Sequence, residues 1–145
     1  MLSRLMETTN NRVAGSVRIM LGVIFMMTGL MKLLVSRLSE AWSGQLLAAD
    51  IPLYALSRWS VPFVEVALGF ALLLGVFARG AVSIAIVIMI VATYVHLKVH
   101  DPSLFPLQPS APVIPIMVML LSFYVLCRGA GAWSVDLKNQ RQSLT

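Results

Sequence analysis

Four long apolar runs decide most of what this chain can become. About 20 apolar residues in a row are needed for a helix to cross a ~30 Å hydrocarbon core. The runs cover residues 13–34, 60–78, 81–99 and 111–128. The first is broken only by Arg18 and Lys32 near its ends, and the second contains Glu65. The third is rich in Ile and Val. Those residues favour strands in water, but in lipid a lone strand leaves its backbone groups unpaired, so a helix is expected here too. In the fourth run, Pro112 and Pro115 fall in the first turn, where a missing N–H costs little. Arg128-Gly129 then supplies a basic last turn and a C-cap. Composition agrees: only 12% of residues are charged, against about a quarter in soluble domains. So little charge cannot cover a compact surface against water. The expected fold is all-α: an integral membrane four-helix transmembrane bundle, formed as one domain over residues 1–145.

The connections differ in length. The second and third runs meet at a tight turn around Ala78-Arg79-Gly80, which forces an antiparallel pair. The third and fourth are joined by a proline-rich loop, DPSLFPLQPSAP, from Asp101 to Pro112. Between the first and second, Leu38, Trp42, Leu46 and Leu47 recur at helical spacing among Arg37, Glu40 and Gln45. That pattern predicts a short interfacial helix in the first outer loop. The first apolar run leads into Met31-Lys32, with no small-residue cleavage site, and is read as a retained helix.

Four spans bring both termini to one side. That side and the tight turn carry Arg4, Arg12, Arg18, Arg79, Arg128, Lys138 and Arg141; the other carries Lys32, Arg37, Arg58 and Lys98. Seven against four favours cytoplasmic N- and C-termini. The net charge of +5 is spread over flanking residues and forms no run. It is read as topology and lipid-headgroup contact, with no nucleic-acid partner. Trp42, Tyr54 and Trp59 are expected in the outer aromatic belt and Trp133 in the inner one. Gly15, Gly22 and Gly29 form a seven-residue stripe suited to close helix packing.

One cysteine, Cys127, permits no internal disulfide or CxxC pair and argues against thiol–disulfide exchange. Glu65 is the sharpest chemical signal, because an ionisable group inside a membrane helix is costly unless paired. Its bland reading is a structural pair with Lys32 or Arg58. His96 and His100 lie four residues apart at the end of the third run and so share a helical face. They are weak metal candidates, lacking a third ligand nearer than Glu65 or Asp101, and no metal is assigned. Their bland reading is a pair of interfacial histidines. Lys32, Glu65, His96 and His100 all fall at the same outer face. Together they form a candidate polar site of the kind that suits a quinone headgroup or a proton relay.

Arg18-Ile-Met-Leu-Gly-Val-Ile-Phe-Met-Met-Thr-Gly-Leu-Met-Lys32 resembles the opening helix of the DoxX family. Pro62-Phe-Val-Glu65-Val-Ala-Leu-Gly69-Phe-Ala-Leu-Leu-Leu-Gly75-Val-Phe-Ala-Arg79 resembles its second helix and turn. The third helix ending in His96 and the closing Gly129-Ala-Gly-Ala-Trp-Ser134-Val-Asp136 fit as well, so the resemblance extends over residues 12–137. It implies a four-helix inner-membrane protein that works with redox enzymes, quinone being the cofactor it suggests. It carries over no catalytic residue. A chain this small has little room for a redox centre of its own, so an enzymatic role is expected only within an oxidoreductase complex, alongside other subunits or as a homo-oligomer. The alternative is a non-catalytic scaffold that docks a partner. A transporter is disfavoured by the single buried acid and the absence of an inverted repeat.

Overall fold

The computed structural model describes residues 8–107, 109 and 111–142. Its elements are α1 (Arg12–Leu34), α2 (Ser36–Ala48), α3 (Tyr54–Leu74), α4 (Ala78–Lys98), a 3-10 turn (Pro102–Leu104), α5 (Val113–Arg128) and α6 (Val135–Gln142). No strand occurs among the described residues. Three helices, α1, α3 and α4, are long and apolar enough to cross a membrane. The fourth apolar helix, α5, has 16 residues, or about 24 Å at 1.5 Å per residue.

Packing is pairwise. The closest pair is α1 with α3, then α4 with α5, and α1 also touches α5. Small residues explain the first contact. A Cβ on Gly69 would lie 2.6 Å from the Met26 backbone, and one on Gly22 would lie 2.9 Å from the Leu73 backbone. Bare glycines let the two backbones meet where lipid offers no hydrophobic drive. Gly29 joins this contact, its virtual Cβ meeting the Pro62 carbonyl at 2.8 Å. Gly15, expected to share the stripe, faces Ala132 of the C-terminal segment instead. Leu21, Phe25, Leu72, Val82 and Val125 fill the centre. Outward, Phe63, Phe70, Ile90 and Leu120 are exposed, as lipid-facing helices require.

The boundaries differ from the hydropathy reading in two places. α3 begins at Tyr54, well before residue 60, with Pro62 inside it. A membrane helix tolerates such a proline because neighbouring helices re-satisfy the freed groups. The tight turn lies at Gly75-Val76-Phe77, and Ala78 is already helical. Gly75 (φ +66°) and Phe77 (φ 52°) are both left-handed. Val76 N–H donates to the Ala71 carbonyl at 3.0 Å and closes the end of α3.

The segments before α1 and after α5 meet at the end of the molecule that holds this turn. Arg18, expected as a flanking charge at the lipid headgroups, is instead fully buried. Its Nε donates to the Ala130 carbonyl (2.7 Å). Nη1 donates to Leu72 and Leu73, and Nη2 to Ala132 and Trp133. The guanidinium fork explains this: five fixed donors can collect several carbonyls at once, which an ammonium cannot do. Asp136, also buried, accepts from the N–H groups of Phe77 (2.9 Å) and Ala78 (3.0 Å). It thereby caps α4 from 58 residues away, and a carboxylate at a helix N-terminus also meets the positive end of the dipole. The side chain of Asn11 caps α1, and its carbonyl accepts from Ala132 N–H.

Candidate functional site

The opposite end is built differently. Joined at the Gly75–Phe77 turn, α3 and α4 enclose with α1, α2 and α5 a cavity of about 800 Å³ at the far end. That volume lies within the range of small-molecule sites. Its walls are mostly apolar, with Phe25, Leu46, Val61, Ile88 and Val118 among them. Polar groups gather on Lys32, Trp42, Gln45, Glu65 and His96.

They arrive from four helices, Trp42 and Gln45 both from α2. Lys32 stands in the last turn of α1, and Glu65 comes from the middle of α3, where it is 2% exposed. Lys32 Nζ donates to both Glu65 carboxylate oxygens, at 2.6 and 2.8 Å. The pairing offsets the cost of burying either charge alone. The same ammonium sits 4.4 Å from the centroid of the Trp42 ring, a cation–π contact that leaves the indole N–H uncommitted. Trp42 and Leu46, four residues apart on α2, line the cavity together.

His96 stands in the last turn of α4 and is 7% exposed. Its Nδ1 lies 2.8 Å from the Ala92 carbonyl. A carbonyl only accepts, so Nδ1 carries the hydrogen. The ring also packs on Phe105 with centroids 4.5 Å apart. Phe105 belongs to the loop after α4, and Gln45 of α2 donates to the neighbouring Leu104 carbonyl. The first and third loops thus meet at this end. Asp101 caps the short Pro102–Leu104 turn. The Ser103 hydroxyl and N–H donate to its carboxylate and hold it below the ordinary carboxylate range.

Two buried atoms of side chains that line this cavity, Trp42 Nε1 and His96 Nε2, have no hydrogen-bond partner among the described residues. Buried polar atoms are nearly always hydrogen-bonded, so each such exception needs a reason.

Of the residues singled out in the sequence, Lys32, Glu65 and His96 come together on this cavity and His100 does not. α4 ends at Lys98 and Val99 is extended, so the four-residue spacing no longer sets His100 beside His96. His100 is exposed and outside the cavity wall. Arg58 is exposed and lies over the Trp59 ring. No cluster of three His, Cys, Asp or Glu suited to a metal occurs among the described residues. Trp42, read as a belt residue, lines the cavity, as does Gln45. Their signal was present in the α2 periodicity, which marks a buried face without saying what it covers.

The family model for DoxX matches residues 15–100, a stretch that runs from the first helix through Lys32, Trp42, Glu65 and His96. It stops short of the Gly129–Asp136 segment, so the resemblance read over residues 12–137 is supported over the shorter range. No curated protein and no solved structure matches the chain. An all-helical architecture, three helices with the length and hydropathy of membrane spans, and a family match over more than half of the sequence lead to one conclusion: this membrane protein belongs to the DoxX family.

Proposed function

We propose that the chain is a four-span inner-membrane subunit of a quinone-linked redox system, holding a quinone headgroup in the α1–α5 cavity. In this reading α5 is the fourth span, local thinning of the bilayer and snorkelling flanking residues making up for its short length. α2 lies in the outer interface, and both termini are cytoplasmic. The site residues are Lys32, Trp42, Glu65 and His96. Lys32 and Glu65 set the electrostatics, while Trp42 and His96 meet the ring oxygens. The apolar walls receive the ring faces and the start of an isoprenoid tail. The chain supplies binding and orientation, and a partner subunit supplies the redox centre.

The observation that carries this reading is that two side chains lining one largely apolar cavity, Trp42 and His96, each hold a buried atom, Nε1 and Nε2, without a hydrogen-bond partner among the described residues. A small amphipathic ring with an oxygen at each end brings a polar group toward each of the two side chains. The competing reading, a scaffold whose polar residues only trim the rim, draws support from the closed Lys32–Glu65 pair. A scaffold, however, gains nothing from leaving two buried atoms without partners.

Gentle purification, organic extraction and mass spectrometry test the proposal. Wild type is expected to retain quinone, and Trp42→Phe with His96→Phe to retain at least about tenfold less, one lost buried hydrogen bond corresponding to roughly that factor. Equal retention by wild type and double variant, or none by wild type, would move the function elsewhere.

A further inference from the structure

The two unpartnered atoms differ in kind, and the difference specifies the ligand's oxidation state. The indole Nε1–H of Trp42 can only donate. His96 is the reverse. Its Nδ1–H is committed to the Ala92 carbonyl at 2.8 Å, so the neutral ring offers only a lone pair at Nε2. Contact with Phe105 and the Ala92 bond together fix the ring's orientation. A complementary ligand must therefore accept one hydrogen bond and donate another. An oxidised quinone presents carbonyl oxygens alone. It can satisfy Trp42 but sets an acceptor against the lone pair of His96. A hydroquinone carries two hydroxyls, each able to donate or accept, and satisfies both atoms at once. Lys32 brings only donors, two of them on the Glu65 oxygens, so it cannot answer the lone pair of His96.

We infer that the cavity selects the reduced, hydroquinone form of its ligand over the oxidised quinone, with His96 Nε2 as the discriminating acceptor. The inference rests on the quinone reading above and adds to it a preferred redox state. A site built this way holds the product of quinone reduction or the substrate of quinol oxidation. The discrimination follows a general asymmetry: rejecting a ligand that leaves a buried polar group unpaired is far more effective than rejecting one of the wrong size.

The test uses the purified full-length chain in detergent, under anaerobic conditions. A short-chain benzoquinone and its hydroquinone are titrated separately by calorimetry. Wild type is expected to bind the hydroquinone about tenfold or more tightly than the quinone, the usual effect of leaving one buried hydrogen bond unmade. In His96→Phe the two forms should bind alike. In Trp42→Phe both should weaken while the ratio persists, since that donor serves either form. Equal affinities in wild type overturn the redox preference and leave the quinone site standing. Absence of binding by both forms overturns the quinone site itself. A preference that survives His96→Phe assigns the discrimination to another group and overturns the role given to His96.

Discussion

The two ends of the bundle treat buried polarity in opposite ways. At the end that holds the Gly75–Phe77 turn, the buried side chains of Arg18, Asp136 and Thr8 are bonded to backbone groups. Arg18 serves five carbonyls, Asp136 takes two backbone N–H groups, and Gly131 N–H donates to the Thr8 hydroxyl at 2.7 Å. At the cavity end one ion pair is closed, while an indole N–H and an imidazole lone pair are left over. Both ends bury charge in a chain with little of it. A saturated network holds helices in register, whereas an unsaturated one has room for a ligand. Buried charge alone therefore does not locate function in a membrane helix; leftover valence at a cavity is the better guide.

The comparison can be broken by mutation, and the terminal end offers the largest effect. Arg18→Met should destabilise the protein by about 3–5 kcal/mol, because it strips a buried charged network of its centre. Thermal unfolding in a fixed detergent measures it. Arg18→Lys should recover only a small part, since one ammonium cannot span five carbonyls. A wild-type melting temperature in Arg18→Met would show that the terminal end is not a structural lock. Next in size is Asp136→Ala, which uncaps α4 and should cost about 1–2 kcal/mol. Its signature is faster amide hydrogen exchange confined to the first turn of α4; unchanged exchange there would dismiss the cap. Smallest is His96→Phe at the cavity end, expected within about 0.5 kcal/mol of wild type, because it removes an unsatisfied atom and keeps an aromatic ring against Phe105. A loss of several kcal/mol in that variant would make His96 part of the framework and erase the contrast between the two ends.

The sequence carries the helices well and the polar partners unevenly. Apolar runs predict α1 and α4 to within a few residues, since lipid leaves a long apolar segment little choice but helix. The start of α3 was hidden, because residues 54–61 mix Arg58, Ser57 and Ser60 with aromatics and dilute the hydropathy just where Pro62 suggests a beginning. Lys32, Glu65 and His96 were legible as neighbours because antiparallel spans stack helix ends at a common depth. His100 was misleading: its spacing from His96 matters only while the helix lasts, and α4 stops at Lys98. Arg18 looked like an ordinary flanking charge. Its five acceptors lie 54 to 115 residues away, and backbone carbonyls leave no trace in side-chain patterns. Asp136 was equally silent, being one acid in a polar tail until the chain folds it under Phe77.

The reach of Arg18 also governs the order of assembly. The first helix enters the bilayer carrying a guanidinium whose most distant acceptors, around Ala132 and Trp133, are synthesised more than a hundred residues later. Until the segment after α5 is made, that cation has only the Leu72 and Leu73 carbonyls of α3, with water or phosphate near the bilayer edge, to serve it. Only when the Ala130–Trp133 segment emerges can it complete its bonds inward, so the segment after α5 acts as a latch on α1.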